Sequence, residues 1–69
     1  MRMTEFRALM AAQFGPLRAP SVAKDHVFAE LGGRTADQAL DAGISPKSVW
    51  AQVCIDFEVP AAMRHGLPD

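Results

Sequence analysis

At 69 residues the chain has room for one core and one binding surface, and at this length only about 60% of the surface of the unfolded chain is buried on folding. With 49% hydrophobic and 22% charged residues it is not a chain too polar to collapse, and its lone cysteine, Cys54, excludes an internal disulfide framework. The net charge of -1 selects neither nucleic acid nor an acidic partner by itself, but it is unevenly spread: residues 1–34 carry five basic against three acidic groups, residues 35–69 two against five.

Thr4 has the hydroxyl of an N-cap, and Phe6, Leu9, Met10 and Phe14 then fall on one face at helical spacing. Gly15 and Pro16 stop this segment, so the first helix is predicted over 5–14. Ser21 after Pro20 opens the next segment, which runs to Leu31 before the paired glycines 32 and 33, giving a predicted helix over 22–31. Ala23, Val27 and Leu31 form its stripe with Phe28 at the edge, and His26 and Glu30 stand four apart on the remaining face, where they can pair.

Thr35 and Gln38 make a capping box that opens a short helix over 36–42. Ala36, Ala39 and Leu40 face inward, Asp37 and Asp41 outward, and Gly43 closes the helix. Ser45 caps the last helix, predicted over 46–57, with Pro46 at the first position, where its missing N–H costs nothing. Val49, Trp50, Val53, Cys54 and Phe57 form the strongest amphipathic stripe in the chain, and Val59-Pro60 ends it. A further short turn is expected around residues 60–66 and a frayed tail over 66–69, leaving a single domain over 1–65. The fold class expected is therefore all-α, a compact bundle of four helices with a helix-turn-helix-like hairpin at 35–57.

In that hairpin Ala39 is the small residue that lets two helices approach, Gly43 supplies the turn, and Ile44 and Val49 plug the space between the helices. Gln52 stands where the motif expects a fifth apolar residue. A recognition helix needs cations for phosphates. Here it offers Lys47 against Asp56 and Glu58, after a helix exposing Asp37 and Asp41. DNA binding through this helix is thus the secondary reading. The cations of the first half, Arg2, Arg7, Arg18, Lys24 and Arg34, are dispersed and lack interleaved aromatics, which makes them a solvated rim.

His26, Cys54 and His65 show none of the paired spacings of a zinc site, and Cys54 lies on the apolar stripe. There is no glycine-rich phosphate loop and no nucleophile with an evident base, so neither catalysis nor a cofactor or small-molecule substrate is expected. The stretch MRMTEFRALMAAQF lacks the apolar core of a signal peptide, and no apolar run reaches the roughly 20 residues that span a bilayer, so a cytoplasmic protein without membrane attachment is expected. Two features lie outside the core pattern. Ile55 points away from the last helix's stripe, and Arg34 sits between the glycines and the Thr35 cap, where it can reach a partner's carboxylate or cap the preceding carbonyls, the second role being favoured.

The stretches MRMTEF, DHVFAELGGRTADQALDAG, PKSVWAQVC and FEVP together resemble a small actinobacterial family of unknown function, with Asp25 to Gly43 the most specific part. Genes of that family often lie near those for the RecA recombinase and its regulator RecX, and the resemblance implies a bacterial, all-helical protein linked to DNA repair or the RecA system. The function expected is a small helical protein-interaction module, accessory to a DNA-repair or nucleic-acid machine, with an unidentified protein as partner in preference to DNA. Arg34, Asp37, Asp41, Lys47 and Ile55 are its candidate partner-binding residues, and helix-turn-helix-like DNA binding through 35–57 is the alternative.

Overall fold

The computed structural model describes residues 1–60; the short turn expected around 60–66 and the tail at 66–69 fall, beyond Pro60, outside the described residues. Four helices and a two-stranded hairpin follow in the order α1 (Met3–Phe14), α2 (Ala19–Asp25), β1 (Val27–Phe28), β2 (Arg34–Thr35), α3 (Ala36–Asp41) and α4 (Pro46–Asp56). The protein is mostly helical and built around one core, as the apolar periodicity requires.

Phe6, Leu9 and Met10 of α1 are buried and meet Val49, Trp50, Val53 and Cys54 of α4, with Phe6 edge-on to Trp50 at 6.4 Å between ring centroids. Such edge-to-face contact suits the ring quadrupoles. Ala23, Ala36 and Ala39 are fully buried, and small side chains there let α2 and α3 lie close to their neighbours. Phe14 and Phe57 close one end of the core with centroids 5.0 Å apart.

The helix starts follow the caps unevenly. Thr35 accepts from the Gln38 N–H at 3.2 Å while Gln38 Oε1 accepts from the Thr35 N–H at 3.0 Å, the reciprocal capping box expected there. Ser45 accepts from the Ser48 N–H at 3.2 Å, with Pro46 in the first turn of α4. By contrast α1 begins at Met3, one residue before Thr4, with Arg2 at the N-cap and no side-chain cap bond. Between α3 and α4, Gly43 takes φ 93°. The Gly43 N–H then bonds the Leu40 carbonyl and the Ile44 N–H the Ala39 carbonyl, which is the Schellman arrangement of a helix C-terminus.

The predicted helix over 22–31 differs most. It begins earlier, at Ala19, takes Pro20 into its first turn, and stops at Asp25. His26 is its C-cap with ψ 125°, and the chain continues extended through Val27 and Phe28. A single 3-10 turn over Ala29–Leu31 follows, then Gly32 and Gly33, and the chain returns antiparallel with Val27 opposite Thr35 and Phe28 opposite Arg34. Burial is the reason. Successive residues of a strand point to opposite sides, so Phe28 becomes fully buried while Val27 is 54% exposed. A continuous helix would have placed Val27 on the stripe with Ala23 and Leu31 and left the larger Phe28 at its edge. The pairing of His26 with Glu30 is lost with the helix; His26 instead meets α4.

Candidate interaction surface

The candidate partner-binding residues are distributed over three elements. Arg34 on β2 is exposed, and its Nη1 donates to the Leu31 carbonyl at 3.0 Å. This is the intramolecular alternative, a guanidinium capping the end of the preceding turn. It lies so close over the backbone that a Cβ at Gly32 would stand 2.5 Å from Arg34 Nη1. Asp37, in the first turn of α3, accepts from Arg7 Nη2 at 2.8 Å, so half of the expected outward acidic pair is tied to α1. Asp41, Lys47 and Ile55 are exposed, Ile55 to 61% on the side of α4 away from Trp50. No hydrogen bond or ion pair joins any two of these five residues among the described residues.

The hairpin at 35–57 places four of the five residues of the helix-turn-helix pattern as that pattern expects. Ala39 and Val49 are fully buried, Ile44 packs against the core partly buried, and Gly43 makes the turn. Gln52 turns to the surface, where its amide donates to Asp56 Oδ1 at 2.9 Å. Trp50, 4% exposed, belongs to the core and is no surface anchor, and Cys54 is buried beside it.

Two arrangements are absent from a reading of periodicity. The first is a cluster at the end of α4. The His26 ring packs against both Phe28 and Phe57, with centroids at 4.5 and 4.6 Å, the two phenyl rings being 6.4 Å from each other, and its Nε2 is 3.2 Å from Asp56 Oδ2. The hydrogen bond from Gln52, together with that from His26, holds the Asp56 carboxyl below its ordinary value, partial desolvation opposing them. His26, thirty positions before Asp56, thus ties the hairpin to the last helix. The second is an apolar groove of about 160 Å³ between α1 and α2, lined by Arg7, Met10, Ala11, Pro16, Ala19 and Pro20. Leu17, in the connection that forms one end of it, is 92% exposed. The sequence signal was a leucine set between two prolines in a loop, outside any helical stripe.

Among the described residues no three His, Cys, Asp or Glu side chains converge to hold a metal ion, and no helix is long and apolar enough to cross a membrane. No solved structure matches the chain. A Mycobacterium tuberculosis protein, whose name provisionally assigns it to an envelope-preserving system, is 41% identical over 44 residues. That stretch is 64% of this chain but only 16% of the relative, so the chain is similar to one small part of a longer protein. The model of a family described as proteins of unknown function matches residues 1–62, nearly the whole chain with every described helix and both described strands, and the chain therefore belongs to the DUF3046 family.

Proposed function

We propose that the protein is a small helical interaction module that docks on a larger protein. The observation that carries this reading is the relative in which a similar stretch forms 16% of a longer chain. A unit used in one protein as an attached part is suited to work in another as a separate part held by non-covalent contact. The surface agrees with it. Arg7, Arg34, Asp37, His26 and Asp56 are each engaged within the molecule, and the side chains left over include large apolar ones, Leu17, Val27 and Ile55. Two contexts are open to such a module. The gene neighbourhood implied by the family resemblance suggests a DNA-repair or nucleic-acid machine, while the relative's name suggests an envelope-preserving system. Affinity capture with the full chain as bait, from an actinobacterial extract, distinguishes them by the partner retained. The reading expects one protein held in near-stoichiometric amount and released as salt rises; an eluate no different from a mock bait withdraws it.

A second reading is DNA binding through α3 and α4, favoured by the buried Ala39 and Val49 and by the Gly43 turn. It suffers from the charge of the presented helix. Lys47 is its lone cation and stands against Asp56, with Glu58 just beyond the helix end. The engagement of Asp37 with Arg7 removes one repulsive charge from α3 but leaves Asp41 exposed.

A further inference from the structure

We infer that the groove between α1 and α2 is the docking site, and that its occupant is a segment of a partner protein carrying an aliphatic side chain beside carboxylates. This rests on the reading of the protein as an interaction module and names the surface and the partner's chemistry. The floor of the groove is apolar, with Met10 and Ala11 from α1, Ala19 and Pro20 from α2, and Pro16 at the corner. Its volume of about 160 Å³ suits one or two side chains and not a whole helix. Leu17, 92% exposed at the same corner, extends the apolar surface outward. Met3, 44% exposed, continues it along α1, lying four residues before Arg7 and seven before Met10 on the same helix face.

Charge complementarity selects the occupant. Arg7 lines the groove, Arg18 stands between Leu17 and Ala19, and Lys24 lies four residues after Pro20 on the same face of α2. Arg7 shares its charge with Asp37 at 2.8 Å, and Glu5, two positions from Arg7, falls on the opposite side of α1, so the cations next to the slot that no described carboxylate pairs with are Arg18 and Lys24. An apolar slot with Arg7 in its wall and Arg18 and Lys24 at neighbouring positions of the chain favours an apolar anchor flanked by Asp or Glu, and steers it in at low salt. A concave slot also distinguishes this partner from a lipid surface, which would need the protruding Leu17 and the cations but no groove.

The test is selection of linear 12-residue peptides from a phage-displayed library on the full chain. Synthetic copies of the enriched peptides are then titrated into isotopically labelled protein. Enriched peptides should place an aliphatic residue beside Asp or Glu, perturb amides of residues 7–11 and 17–24, and weaken at least tenfold between low and near-physiological salt. Leu17→Ser, at a side chain exposed in the free protein and so without cost to the fold, and the double change Arg18→Glu with Lys24→Glu should each reduce affinity at least tenfold with an unchanged melt. Peptides that perturb α3 and α4 instead, or that lack acidic residues, would overturn the groove assignment while leaving the interaction module standing; a failed capture experiment would remove the module itself. No enrichment would also overturn the groove. Binding to phosphatidylglycerol vesicles that is lost in Leu17→Ser, with no peptide bound, would give this corner to a membrane surface.

Discussion

At the scale of single residues, Trp50 and Glu58 carry opposite consequences for stability. Trp50 is 4% exposed and lies edge-on to Phe6. Trp50→Ala should cost about 3 to 5 kcal/mol through the cavity it leaves. A domain of this size holds on the order of 5 kcal/mol in total, so the variant should lose its cooperative thermal transition. A melt near the parent temperature would show that the indole contributes little to the core. Glu58 is the described non-glycine residue with positive φ, at 52°. Its N–H bonds the Ile55 carbonyl at 3.3 Å and the Val59 N–H bonds the Cys54 carbonyl at 2.9 Å, so α4 ends in a Schellman motif like that of α3, with glutamate where Gly43 stands. An L-residue in the left-handed region costs about 1 to 2 kcal/mol. Part of that gain is returned because glycine frees the unfolded chain by roughly 0.4 to 1 kcal/mol. Glu58→Gly should therefore raise the unfolding free energy by about 0.5 to 1 kcal/mol, read as a higher urea midpoint at unchanged slope, whereas Glu58→Ala should not.

At the scale of elements, what was legible in the sequence was whatever local spacing determines. The capping box at Thr35 and Gln38, the Ser45-Pro46 start and the glycine after α3 locate both helices of the second half to within a residue, because each signal acts through the backbone of its own turn. The chain from His26 to Arg34 was not legible. Its strands are two residues long, too short for alternation to register, and the demand that breaks the helix is tertiary: Phe28 must enter the core. The same holds for the surface. Arg34's capping role could be read from its turn, but the pairing of Arg7 with Asp37 and of His26 with Asp56 joins residues thirty positions apart. The exposed ion pair of Arg7 and Asp37 adds at most about 1 kcal/mol. The His26 and Asp56 cluster has a testable pH signature. Because the folded state lowers the Asp56 carboxyl below its ordinary 3.8, this contribution is present in full above that value and is lost as the pH falls through the lowered one. Asp56→Asn should melt below the parent at neutral pH, and the gap should narrow as acid is added. Thermal melts at steps from pH 6 to pH 2 check this, and two curves displaced by a constant amount would show that Asp56 gives no acid-dependent stabilisation.

At the scale of the whole molecule, the uneven charge separates the two functional readings, since they use opposite halves. The first half carries +2 and holds the groove; the second carries -3 and holds the hairpin that resembles a helix-turn-helix. Phosphate contacts supply most of the affinity for DNA and fall with salt in proportion to the cations engaged. A duplex approaching α4 meets Lys47 near its start and Asp56 at its end, so base contacts would have to hold the complex with little help from the backbone. Titrating labelled protein with mixed-sequence duplex DNA at low and near-physiological salt should accordingly give weak shifts near Arg2, Arg18 and Lys24 that vanish as salt rises, unaffected by Lys47→Glu. Shifts concentrated in residues 45–53 that persist with salt and disappear in Lys47→Glu would reverse the ranking. They would require α4 to lie in the groove despite its charge, with the cationic half of the same or a second molecule supplying the phosphate contacts that α4 lacks.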